Sequence, residues 1–185
     1  MKLKALFGLE NPHEETALLL YNSIVAQARR PYFYRELKVS DTVEGRYDMI
    51  IIHAFLLFYR LKDESENAKN LGQTVFDTMF RDIDQSLREM GVGDMGVGPR
   101  IKKMASSFYG RISAYDKALE EEDNEELEQA VARNVFTKSD PDDLVLKQFG
   151  TYIRANVGHL KVMEMTGILS GKISYMNPED TDFKS

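Results

Sequence analysis

The run Met49–Tyr59, MIIIHAFLLFY, sets the terms for the fold. Read at 100° per residue it is apolar on every side from Met49 to Phe58, with His53 as its polar interruption and charged side chains only at its ends. A helix without a polar face has to be enclosed. The run is about half of the ~20 residues that a bilayer crossing needs, so the enclosure must be other helices. Asp41-Thr42-Val43-Glu44 in front of it carries a capping-box pattern. A buried central helix over about 43–62 is therefore predicted.

The rest of the chain supplies the covering layers. Residues 1–10 read as a short arm carrying Leu3, Leu6, Phe7 and Leu9. Asn11-Pro12-His13-Glu14 is a helix start, with Asn11 as N-cap, Pro12 at N1 and Glu14 at N3, and this helix is expected to run to about Arg30. Pro31 resets the chain, and YFYREL makes a short second helix whose adjacent aromatics cannot all face the core. A helix from Glu66 or Asn67 aligns Val75, Phe76, Met79, Phe80, Ile83, Leu87 and Met90 on one face and ends at Gly91, a C′ glycine. A glycine-rich loop, Gly91–Gly98, leads to Pro99 at N1 of an amphipathic helix with Ile101, Met104, Ala105, Phe108, Ile112, Tyr115 and Leu119 inward. The acids of Glu120–Glu128 form a solvated junction before a helix over Asn124–Phe136. Ser139–Asp143 caps a long last helix with Val145, Phe149, Tyr152, Ile153, Leu160 and Met163 inward, ended by Gly167 or Gly171. The tail, 172–185, reads as loosely held. With no alternating strand and no repeat, the expectation is a single all-α bundle of six or seven helices over residues 11–171.

Composition narrows the chemistry. The chain has no cysteine, which removes disulfides, thiolate metal sites and cysteine nucleophiles. A net charge of −6 speaks against nonspecific nucleic-acid binding by the whole chain but allows a local basic patch. MKLKALFGLENP shows neither the apolar core nor the cleavage site of a signal peptide. The expected location is cytoplasmic, including a peripheral one at the inner face of the membrane. Gly91-Val92-Gly93-Asp94-Met95-Gly96 matches G-x-G-x-x-G literally, but a helix precedes it where a dinucleotide site needs a strand, so no nucleotide is expected. His53 and His159 fit satisfied core positions and His13 an exposed helix start; together they make no zinc motif. Glu10–His13 spans a helix cap and has no second copy, against a di-iron site. Asp77, Asp82 and Asp84 splay around their helix as a solvated face. No G-x-S-x-G occurs. Neither a metal nor a cofactor is expected.

Binding chemistry remains. Arg100, Lys103, Ser107 and Arg111 form a stripe about a quarter-turn from the core face of their helix, offering cations to a partner. Amides at the start of the Pro99 helix, beside Arg100 and Lys103, can hold a phosphate or carboxylate. Met79, Met90, Met104 and Met163 stand at core spacing, although methionine also suits surfaces that accept varied apolar clients. The candidate partner- or client-binding residues are Gly93, Asp94, Gly96, Arg100, Lys103, Tyr109 and Arg111.

Several stretches together carry a resemblance. They are Asp41-Thr42 with Gly45-Arg46; His53 and Arg60-Leu61; QTVFDTMFRDID over Gln73–Asp84; Leu87-Arg88-Glu89 with GVGD at Gly91–Asp94; and Phe108-Tyr109-Gly110-Arg111 with Ala114-Tyr115-Asp116. In this combination, densest from 41 to 117, the chain resembles the ubiquinol–cytochrome c chaperone family, assembly factors for the respiratory bc1 complex. The resemblance implies an all-helical, non-enzymatic chaperone with no catalytic residue. It also implies what mitochondrial members do: act with a small partner protein, near the ribosomal tunnel exit, on newly made cytochrome b. Lacking their long N-terminal extension and any membrane segment, the chain looks like a bacterial-type member.

Three functions follow as expectations. The first is a binding protein that holds a hydrophobic client, cytochrome b, during bc1 assembly, anchored by the glycine loop and the stripe. The second is a ribosome- or RNA-associated module using Arg100, Lys103 and Arg111. The third is a helical metal- or phosphate-dependent enzyme near Asp77, Asp82 and Asp84.

Overall fold

In the computed structural model, which describes residues 11–181, helix α3 (Val43–Leu61) is the axis of the molecule. Around it pack α1 (Glu14–Ala28), α4 (Glu66–Glu89), α5 (Asp94–Ala118), α6 (Glu125–Val135) and α7 (Asp143–Val162). Two short helices turn the chain: α2 (Pro31–Arg35) between α1 and α3, and α8 (Met165–Ile168) after α7. The described residues form no strand. Met49, Ile51, Ile52, His53, Ala54, Phe55, Leu56 and Leu57 are all buried, as the facelessness of the run requires. The all-α bundle is as expected; the single turn α8 is the addition.

The local starts differ in detail from the expected ones. Thr42, not Asp41, caps α3: its hydroxyl accepts the Gly45 amide at 3.2 Å. Asp41 instead pairs with Arg46 at 2.7 Å, and Glu44 stays exposed, so no capping box closes. Gly45 is required there, because a Cβ would lie 2.0 Å from the Ser40 carbonyl oxygen, where the approaching segment doubles back on the first turn. Helix α1 begins at Glu14, past the expected cap. Asn11 forms an Asx turn, its Oδ1 accepting the His13 amide at 3.0 Å, and its Nδ2 donates to Thr74 Oγ1 of α4 at 3.0 Å. The sequence expectations for the arm 1–10 lie outside the described residues.

Two corrections matter for function. The glycine-rich stretch is mostly helix. Gly91 (φ +82) reverses the chain, the Val92 amide reaches back to the Leu87 carbonyl at 3.0 Å, and α5 starts at Asp94. Pro99 therefore lies inside α5 rather than at N1. A four-residue reversal, Met90–Gly93, already turns the chain, which leaves Gly96 and Gly98 in the first turns of the helix.

The tail is also not loose up to Thr181. Helix α7 ends where Met163 goes extended (ψ 137), and after α8 and Gly171 (φ +85) the chain runs as a strap. The Met176 amide donates to Asn156 Oδ1 at 2.9 Å, and Gln27 Nε2 donates to the Met176 carbonyl at 2.8 Å. Tyr175 O–H donates to the His53 carbonyl at 3.1 Å, and Arg30 pairs with Glu179 at 3.1 Å. Ile173 and Tyr175 face the core while Lys172 and Ser174 face out, an extended alternation hidden in a polar-looking sequence. Beneath the strap, His53 is a satisfied core histidine. Its Nδ1 meets the Met49 carbonyl at 2.7 Å, its Nε2 meets the Tyr152 hydroxyl at 2.8 Å, and burial pushes its pKa down to about 4. His159 differs from its expected core position: half-buried, it bonds Ser174 Oγ of the strap at 3.1 Å. His13, expected to be exposed, is also half-buried.

Candidate functional site

At the corner where α4 hands over to α5, apolar side chains stand in solvent. Met95 is 95% exposed, Val43 56% and Met90 52%. Beside them a groove of about 510 Å³ runs between the start of α3, the end of α4 and the first half of α5, floored by Tyr47, Leu87 and Met104. Arg100 and Lys103 stand on its rim, and among the described residues neither forms an ion pair. Of the methionines expected at core spacing, Met79 is in the core, Met104 and Met163 are partly buried, and Met90 faces out.

Arg111 does not belong to this cationic rim. Its guanidinium turns inward and pairs with Asp48 at 2.9 Å, the two side chains being 16% and 8% exposed, and it donates to the Asn134 carbonyl at 3.3 Å. Asp48 comes from the buried side of α3, next to Tyr47, whose hydroxyl donates to the Met104 carbonyl at 3.1 Å. Burial drives the Asp48 carboxyl up to about 7 against the opposing pull of Arg111. The pair ties α3, α5 and α6 together below the groove. Its acid is the functional-looking residue that periodicity missed, since Asp48 directly precedes the apolar run and reads as an end charge.

The remaining candidates separate. Gly93 is the N-cap of α5, and Gly96 lies in its first turn. The Gly96 and Val97 amides both bond the Gly93 carbonyl, at 2.7 and 3.3 Å. The Asp94 carboxylate stands at the helix start and pairs with Arg88, which also holds Asp84 at 2.6 Å. The expected anion seat at Pro99 is therefore absent, because the helix start lies upstream and already carries a carboxylate. Tyr109 lies on the opposite side of α5, on a different groove of about 260 Å³ with Phe58, Phe76 and Phe108. The three aspartates of α4 have unrelated partners: Asp77 accepts from Gln73 at 2.8 Å, Asp82 from the Tyr21 hydroxyl at 2.7 Å, and Asp84 from Arg88. Among the described residues no cluster of three or more His, Asp or Glu side chains is placed to hold a metal. No helix among them is long and apolar enough to cross a membrane.

Comparison with known proteins fits this architecture. The family described as Ubiquinol-cytochrome C chaperone matches residues 35–175, and the chain belongs to it. The human ubiquinol-cytochrome c reductase complex assembly factor 1 is 25% identical over 160 residues, covering 86% of this chain and 53% of that protein. Protein CBP3, mitochondrial, of Saccharomyces cerevisiae is 28% identical over 151 residues, covering 80% of this chain and 45% of that one. The chain thus spans about half the length of these two relatives. The crystal structure of the Cbp3 homolog from Brucella abortus superposes with a TM-score of 0.83 at 36% identity, covering 98% of this chain and 100% of that one.

Proposed function

We propose that this member of the ubiquinol–cytochrome c chaperone family is an assembly chaperone for the bc1 complex, acting by binding and not by catalysis. Its client is newly made cytochrome b, alone or with a small partner protein, met at the cytoplasmic face of the membrane. The observation that carries the reading is the α4–α5 corner, where exposed Val43, Met90 and Met95 adjoin Arg100 and Lys103, cations with no ion pair among the described residues. Methionine and valine give an adaptable apolar contact for a membrane-protein segment before it is inserted. The two cations suit the polar flank of such a segment or a ribosomal contact beside it.

A separate RNA-binding role is less favoured, since Arg111 is committed to Asp48. Two remaining cations neutralise about two phosphates, and a log–log salt slope near −2 describes a weak contact. The test is deletion of the gene followed by haem-b spectra of membranes and quinol–cytochrome c reductase activity. Selective loss of the bc1 complex is expected, restored by the wild-type chain and not by an Arg100→Glu/Lys103→Glu variant of unchanged melting temperature. Normal bc1 levels after deletion would refute the role, and full rescue by the double variant would refute the site.

A further inference from the structure

The smaller groove, on the far side of α5, carries an inference independent of the client surface. It lies where α3, α4 and α5 meet. Phe58 and Phe108 meet edge to face with centroids 5.9 Å apart, Phe76 joins Phe108 at 5.3 Å, and Tyr109 stacks near Phe76 at 5.5 Å, itself 57% exposed. The floor is Gly72. A glycine inside a helix costs about 1 kcal/mol relative to alanine, and nothing forces one here: a Cβ would meet Leu61 at 3.5 Å and Phe58 at 3.7 Å, ordinary contacts. What the missing side chain does is leave the groove deep enough, at about 260 Å³, for one aromatic or leucine-sized side chain.

The rim gives the sign of the visitor. Lys62 and Lys69 line the groove and no carboxylate does, in a chain whose net charge is −6. Lys62 is held by Asp116 at 2.6 Å, while Lys69 forms no ion pair among the described residues. We propose that the Gly72 groove is a second docking site that takes an aromatic side chain from an acidic segment of a protein partner. Tyr109 and the other aromatics supply the anchor pocket, and Lys69 the charge match. The protein could then hold a partner here while the α4–α5 corner holds a client.

The chain contains no tryptophan, so a synthetic helical peptide with one tryptophan flanked by glutamates reports its own burial by fluorescence. Titrated into the full-length protein, this peptide should bind saturably with a blue shift. Gly72→Leu, which fills the groove from its floor, and Lys69→Glu, which leaves the floor untouched, should each weaken it at least tenfold. Lysine flanks in place of the glutamates should do the same. Arg100→Glu/Lys103→Glu should leave the affinity unchanged, which separates this site from the client surface. Equal binding by wild type and both groove variants, or absence of saturable binding, would overturn the proposal. Self-association abolished by Gly72→Leu would assign the groove to a second copy instead, and binding only after removal of residues 1–10 would assign it to that arm; either result also overturns it.

Discussion

Replacing Asp48 by asparagine should stabilise this protein at alkaline pH, although Asp48 is one half of a buried ion pair. Its carboxyl rises from an ordinary 3.8 to about 7 because burial outweighs the attraction of Arg111 at 2.9 Å. The fold therefore binds this proton more tightly than the unfolded chain does. The contribution of the group is complete below pH 3.8 and drains away as pH climbs through 7. At 1.36 kcal/mol per pH unit, the rise from 3.8 to about 7 corresponds to about 4 kcal/mol lost by pH 8. An asparagine keeps the shape and an oxygen that accepts from Arg111, and it has no proton to lose. Asp48→Asn should match wild type near pH 4 and exceed it by up to about 4 kcal/mol at pH 8, or roughly 8–16 °C in melting temperature for a domain of this size. His53 works in the opposite direction, since a pKa lowered from 6.5 to about 4 costs stability as pH falls through that interval. The measurement is therefore the difference between variant and wild-type denaturation curves across pH 4–8, in which His53 cancels. Had Arg111 kept the carboxylate ionised in the fold, the variant would be the weaker protein at pH 8. That sign, or parallel profiles, would refute the reasoning.

Other substitutions test the remaining architecture. Gly45→Ala puts a methyl 2.0 Å from the Ser40 carbonyl and should cost at least about 3 kcal/mol or prevent folding, read by circular dichroism and melting. Gly72→Ala, by contrast, should fold normally and gain up to about 1 kcal/mol in chemical denaturation, because its Cβ meets only side chains at contact distance. Tyr152→Phe strips a partner from both His53 Nε2 and Gln27 Nε2 in the core; a loss of about 2–3 kcal/mol is expected, with faster proteolysis of the strap at 172–181. Arg111→Glu should fail differently from its neighbours on the stripe. By placing two acids together under the groove it should unfold the domain, whereas Arg100→Glu/Lys103→Glu should leave the melting temperature within about 2 °C.

Legibility in the sequence followed the strength of the local signal. The Met49–Tyr59 run admits one arrangement, and α3 is found where that arrangement puts it. Gly91 was readable as the end of α4 because only a positive φ closes that turn cheaply. The start of α5 was not. Glycines at 93, 96 and 98 with Pro99 spell a loop by propensity, yet Pro99 removes just one amide, the one that would reach the Met95 carbonyl. Burial of Val97 and the Asp94–Arg88 pair help hold the first turn as helix. Tertiary contact also overrode the polar look of the tail, which over 172–181 is held by Asn156 of α7 and by Gln27 and His53, the last two more than a hundred residues away along the chain.

The candidate site shows the same limit more sharply, because here the periodicity was available and proximity misled. Tyr109 and Arg111 are two positions apart on a helix, so they point about 160° away from each other and cannot share one surface. Helix α5 is accordingly a wall with an aromatic groove on one side and a methionine-lined one on the other. Arg111 sits on the second side but below the surface, where pairing with Asp48 makes it part of the support for that groove. Of the residues singled out in sequence, Arg100 and Lys103 stand on the rim of that groove with no ion pair among the described residues. A defect caused by changing Arg111 would therefore say little about binding unless the fold were shown to survive, and the two grooves on α5 have to be tested by separate substitutions.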